Sequence, residues 1–179
     1  MNIDKYIKIE FFEFYEGIGM ENILKEFLDG LIEAEKSWQN ADHLIYVTYG
    51  VVKDDKLILR ALENLIDSVI KAVSVVLKFE YFFKKIELSK DTRRNLETFF
   101  NKLGRKYGLN KEDEKVIREL IFVGKKHKES SVEFSGKGRV VILDENSVKY
   151  EIDSIKIKNF LKISKKLLEN ANRNFREIF

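Results

Sequence analysis

Residues 55–86 read DKLILRALENLIDSVIKAVSVVLKFEYFFKKI. Within them apolar side chains recur at Ile58, Leu62, Leu65, Val69, Ala72, Val76, Phe79 and Phe83 in alternating steps of four and three. That spacing keeps them on one side of an α-helix. Leu59, Ile66, Ile70 and Val73 widen the stripe beyond a two-stranded seam, so several neighbours must cover this helix. The stretch predicts the central helix of a bundle.

Upstream, Ile23, Phe27, Leu31, Ala34, Trp38, Ala41, Ile45 and Thr48 repeat the same spacing and predict a first helix over residues 20–49, with Gly30 its weak point and Gly50 its end. Asp54 and Asp55 are N-cap residues for the central helix, and so short a connection makes the two helices antiparallel neighbours. Downstream, Lys84 and Lys85 suit the negative end of the central helix dipole. Ser89 is the expected cap of a third helix over 90–107, which turns Leu96, Phe99, Phe100 and Leu103 inward and stops at Gly108. Asn110 caps a fourth, with Glu112, Asp113 and Glu114 in its first turn and Val116, Ile117, Leu120, Ile121 and Val123 on its buried face, fading over 126–128.

The period then changes. Val132 and Phe134, the run 139–143, and Val148, Tyr150 and Ile152 alternate between two turn-rich spacers, which predicts a β-hairpin or three-stranded meander over 131–153. Asp153 or Ser154 opens a last helix over 154–176. Residues 1–19 hold Tyr6, Phe11, Phe12, Phe14 and Tyr15, read as an aromatic arm, a short helix or a short edge strand that needs cover. The expected fold is therefore mainly α, a single domain over 1–179. It is a four- to five-helix antiparallel bundle with a small β-hairpin before the C-terminal helix. Its wide apolar faces and the aromatic arm favour a homodimer.

A chain of 179 residues can bury a core without staples. It has no cysteine and two histidines, so thiolate chemistry is excluded and neither a metal site nor a cofactor is expected. The absence of proline and the abundance of Lys, Glu, Ile and Leu give a thermophile-like composition. No leader and no apolar run long enough for a bilayer is present, which predicts a cytoplasmic protein without membrane contact. Charge is uneven: residues 1–36 carry nine acidic and four basic side chains, whereas residues 84–139 carry nine acidic and sixteen basic. That middle segment is the part basic enough to suggest a polyanion partner.

The two long helices, the first with LIEA at 31–34 and NADHL at 40–44, the second with DSVIKAV at 67–73, resemble the bundle of the HEPN superfamily over about residues 20–129. Members that keep an arginine and a histidine four to six residues apart on a late helix are metal-independent ribonucleases, often dimeric, with the paired motifs lining a cleft between subunits. The corresponding stretch here is RELIFVGKKH at 118–127, so the resemblance points to Arg118 and His127 as catalytic residues. Nine positions along a helix span roughly 13 Å and put the two side chains on opposite faces. They cannot meet over one phosphate within a chain, and Lys125, Lys126 or Lys128 would have to supply the cation.

His127 among these lysines is the most site-like cluster, since an imidazole can act as general acid or base beside cations that hold a phosphodiester. Its alternative is a helix terminus whose cations complement the dipole. Lys137 and Arg139, in the SGKGR turn at 135–139, extend the candidate polyanion-binding set of Lys125, Lys126 and Lys128. Asp42, His43 and Tyr46 are candidates for an interhelical polar pocket. The leading expectation is a non-enzymatic, HEPN-like module binding RNA, another polyanion or a protein. A ribonuclease using His127 ranks second, and a purely structural interaction module third.

Overall fold

The structure, a computed structural model, describes residues 20–130 and 132–177. The expected N-terminal arm lies outside the described residues. The central helix α3 is Lys56–Phe82. Of the predicted stripe, Ile58, Leu62, Leu65, Val69, Ala72, Val76 and Phe79 are each at most 1% exposed, whereas Phe83, just past the helix end, is half-buried. The stripe is buried because α3 is covered from several sides, by helices α1, Met20–His43, α5, Lys111–Glu129, and α6, Ser154–Arg176, and by strand β2, Arg139–Leu143.

Helices α1 and α3 run antiparallel, as a ladder of side-chain pairs records. Lys78 Nζ meets Glu26 at 3.3 Å, Lys71 Nζ meets Glu33 at 3.6 Å, and Ser37 Oγ donates to Asp67 at 2.5 Å. Gly30 sits inside α1 because a Cβ there would lie 2.6 Å from Val75 Cγ2. The weak point of helix propensity is thus a point of close helix approach. Gly124 plays the same part between α5 and α3, where a Cβ would lie 2.1 Å from Ile66 Cδ1.

Helix α1 does not stop at Gly50. It passes through a π-helical turn, Leu44–Thr48, into α2, Tyr49–Val52, and ends at Lys53, whose φ of 57° is left-handed. Asp54 caps α3 by accepting from Lys56 N at 3.0 Å. The Asp55 carboxylate instead accepts from the Tyr49 hydroxyl at 2.8 Å and from Gly138 N at 3.0 Å, tying the corner to the sheet. The third helix is shorter than expected, with α4, Thr92–Thr98, followed by a second π-helical turn, Phe99–Leu103. Its cap is Asp91, which accepts from Arg93 N at 2.8 Å, rather than Ser89. Ser89 is engaged through its backbone by the buried Asn95, two hydrogen bonds of 2.8 Å each.

Asn110 and Asp113 form a reciprocal capping box on α5, and Asp153 caps α6 through Lys156 N at 2.7 Å. The β element is a three-stranded antiparallel meander of β1, Val132–Gly136, β2, and β3, Lys149–Asp153, in the order β1-β2-β3. Lys137 and Gly138, with φ of 56° and 80°, make the two-residue turn that joins β1 to β2. Val140, Ile142 and Ile152 are fully buried on the face turned to the helices.

Candidate functional site

The capping box holds the start of α5 while its last turn carries Lys125, Lys126, His127 and Lys128 towards the meander. His127 ties its own helix α5 to two further elements. Its Nδ1 stands 2.5 Å from Glu133 Oε1 on β1, and its Nε2 stands 3.1 Å from Glu63 Oε1 on α3. Burial by itself pushes the imidazole pKa down, but the two carboxylates outweigh it and hold His127 above its ordinary value. An imidazolium donating from both nitrogens has no lone pair with which to accept a proton. Next to it, burial lowers the Lys128 pKa against the pull of Glu63 and Asp67.

Arg118 is elsewhere. It forks onto Glu97 at 2.6 and 2.8 Å, with its guanidinium carbon 4.0 Å from the centre of the Phe100 ring, and so fastens α4 to α5. The structure does not bring Arg118 and His127 together. The other cations read from the sequence mostly face acids. Lys126 meets Asp144 at 3.1 Å, Lys125 meets Glu129 at 3.7 Å, and Arg139 meets Glu151 at 2.9 Å. Lys137 is exposed at the hairpin turn. The interhelical pocket expected of Asp42, His43 and Tyr46 is not formed: His43 and Tyr46 are exposed, because the π-helical turn begins at Leu44 and only Ile45 of that turn is buried. Tyr46 instead lies under Lys158 Nζ, 5.1 Å from its ring centre.

One buried ionisable cluster is structural. Glu80, 1% exposed, accepts from the Tyr107 hydroxyl at 2.6 Å and from Lys106. Burial and then this carboxylate drive the Tyr107 hydroxyl pKa far up, so it stays a donor. Among the described residues no group of three or more His, Cys, Asp or Glu side chains could hold a metal ion. Among them, too, no helix is long and apolar enough to cross a membrane.

The surface that sequence reading missed lies at the far end of the bundle. Tyr81, Phe82, Lys84, Lys85, Ile86, Glu87 and Lys102 line an open cleft of about 870 Å³. Arg93, Arg94, Glu97, Thr98, Asn101 and Lys102 line a groove of about 380 Å³ beside it. Lys102 belongs to both, set there by the π-helical turn, a feature found often at functional sites. Lys84, Lys85, Arg93, Arg94 and Lys102 are all exposed. Of the two acids in these linings, Glu97 is already held by Arg118, which draws its pKa below the usual range. The signal was in the sequence as KK at 84–85, read there as a dipole complement, and RR at 93–94, counted there only within the basic segment 84–139.

The His127 clamp yields a pH prediction. A histidine whose folded pKa is raised contributes stability that is fully present below its unfolded value, about 6.5, and is lost as pH rises through the folded value. His127→Gln is therefore expected to lose about 2 kcal/mol at pH 6, the scale of a hydrogen bond to a charged group, and clearly less at pH 9. Urea denaturation at both pH values reads the difference, and an equal loss at each would refute the clamp. No protein-family model, curated protein or solved structure matches the chain.

Proposed function

We propose that the chain is a non-enzymatic binding module of HEPN-like architecture whose partner is a polyanion, RNA foremost, taken along the grooves of Lys84, Lys85, Arg93, Arg94 and Lys102. The observation that carries this reading is Lys102 standing between two open grooves whose other cations are exposed. What supports the architecture is the antiparallel pair α1 and α3 with α5 laid against α3. The ribonuclease reading fares worse, because His127, Lys125 and Lys126 each face carboxylates that would repel a phosphodiester.

Cations that contact phosphates release counterions, and for single strands the slope of log K against log salt is about −0.7 per contact, or about −3.5 for five contacts. Fluorescence anisotropy of a labelled single-stranded RNA should show affinity falling roughly a hundredfold between about 50 and 200 mM salt. Absence of binding at the lower salt would overturn the reading in favour of a structural interaction module, and cleavage of the probe that His127→Gln abolishes would favour the ribonuclease.

A further inference from the structure

Among the described residues β1 has one sheet neighbour, β2, and its other edge is open. The two-residue turn fixes how the backbone groups of β1 point. Gly136 and Arg139 flank the turn and form a hydrogen-bonded pair, so by alternation Phe134 and Val132 also direct N–H and C=O to β2. Glu133 and Ser135 direct theirs to the open edge. Side chains alternate with the same parity. Val132 and Phe134, 44% and 58% exposed, stand on the sheet face away from the helices, opposite Leu143 and Val141. Exposed edge strands are normally blunted by charged side chains, above all Lys, by Pro, by a bulge or by an inward-pointing charge. The sequence VEFSG has no Lys or Pro and pairs regularly with β2 throughout, and its one inward-pointing charge, Glu133, is already held by His127 at 2.5 Å.

We propose that β1 is the contact between two copies of the chain, paired antiparallel about a two-fold axis at Phe134 into one six-stranded sheet. The strand is complementary to itself in this register. Glu133 of one copy faces Ser135 of the other, so the single charge of the strand never meets its own kind, and their outward N–H and C=O groups bond each other. The Glu133 carboxylate already meets His127 Nδ1 on the inner face, so pairing brings no unpartnered carboxylate to the seam. Phe134 faces Phe134 as a non-hydrogen-bonded pair, the arrangement in which side chains come closest. The apolar outer patch of Val132, Phe134, Val141 and Leu143 becomes continuous across both copies. A foreign extended strand would share the backbone bonds but not this match of charge and aromatic ring. One strand from each copy buries less than the ~1,200 Å² of standard complexes, so the dimer is concentration-dependent. The inference is independent of the polyanion reading.

The experiment is cross-linking joined to sedimentation. The chain has no cysteine, so in Phe134→Cys the introduced thiols are the only ones. Directly opposed Cα atoms about 4.5 Å apart lie within disulfide range. Mild oxidation of Phe134→Cys should give a covalent species of twice 21.1 kDa. Val132→Cys, which faces Gly136, should cross-link about tenfold more slowly or less. The unmodified chain should gain mass with concentration in analytical ultracentrifugation. Ser135→Pro removes one outward N–H, at an edge position where proline is tolerated, and should abolish that gain while circular dichroism stays unchanged. A chain that stays at 21.1 kDa at every concentration overturns the proposal. So does a dimer that Phe134→Cys fails to trap, or one that a still-folded Ser135→Pro leaves intact, the latter pointing to another surface.

Discussion

Phe79→Ala is expected to cost the protein a large share of its stability. The Phe79 ring is fully buried, stacked on Phe175 at 4.0 Å between centroids, set edge-on to Phe27 at 5.5 Å, and 4.8 Å from Phe83. It therefore joins the end of α3 to the start of α1 and the end of α6. Truncating a buried phenylalanine removes transfer free energy and leaves a cavity, together about 3–5 kcal/mol. A typical domain has about 5–15 kcal/mol to lose. At this size that corresponds to a drop of roughly 6–20 °C in Tm. Trp38, whose Nε1 donates to Leu161 O on α6 at 2.9 Å, is the sole tryptophan and reports the α1–α6 contact by fluorescence during the melt. A loss below about 0.5 kcal/mol, the range of ordinary surface changes, would mean that α3 is not the centre of the core.

The second large effect concerns binding. With Lys84→Glu, Lys85→Glu and Lys102→Glu combined, RNA affinity at 0.1 M salt should fall by about two orders of magnitude, since each lost contact forfeits about 0.7 decade of counterion release at that salt. The slope of log K against log salt should shrink from about −3.5 to about −1.4, leaving the two arginines. All three side chains are exposed, so the fold should survive within about 0.5 kcal/mol. His127→Gln should leave RNA affinity unchanged. A folded triple variant with undiminished affinity would remove the grooves from consideration.

The bundle was legible because burial is periodic. Water excludes every third or fourth residue of a helix facing its neighbours, and Ile58 through Phe79 carry that pattern without interruption. The caps Asn110 and Asp153 were legible for a local reason, since a cap acts within three residues. Features that depend on distant partners were not. The π-helical turns at Leu44–Thr48 and Phe99–Leu103 shift the register of a helix face with no change in composition, so the first helix overran Gly50 and His43 and Tyr46 came to face solvent. Ser89 and Asp91 are equally good caps by type, and the choice rests on Asn95 binding the Ser89 backbone. Gly30 looked like a defect until Val75 lay against it.

The site divided along the same line. The cluster around His127 stood out by composition, but Glu63, 64 residues away, is what makes it a clamp. The lysines at 84–85 complement a helix dipole and line a cleft with the same charge, and only the position of Lys102 separates the two readings.

His127 is a structural imidazolium and not a proton-transfer group if its two carboxylate partners hold it as the geometry indicates. Nitrogen-resolved NMR titration of the imidazoles tests this most directly, since the chain has only two histidines and His127→Gln assigns the signals. The predicted result is a midpoint above 6.5 for His127 with both ring nitrogens protonated at lower pH. A midpoint at or below 6.5, with one nitrogen bare at neutral pH, would contradict it and restore His127 as a general base.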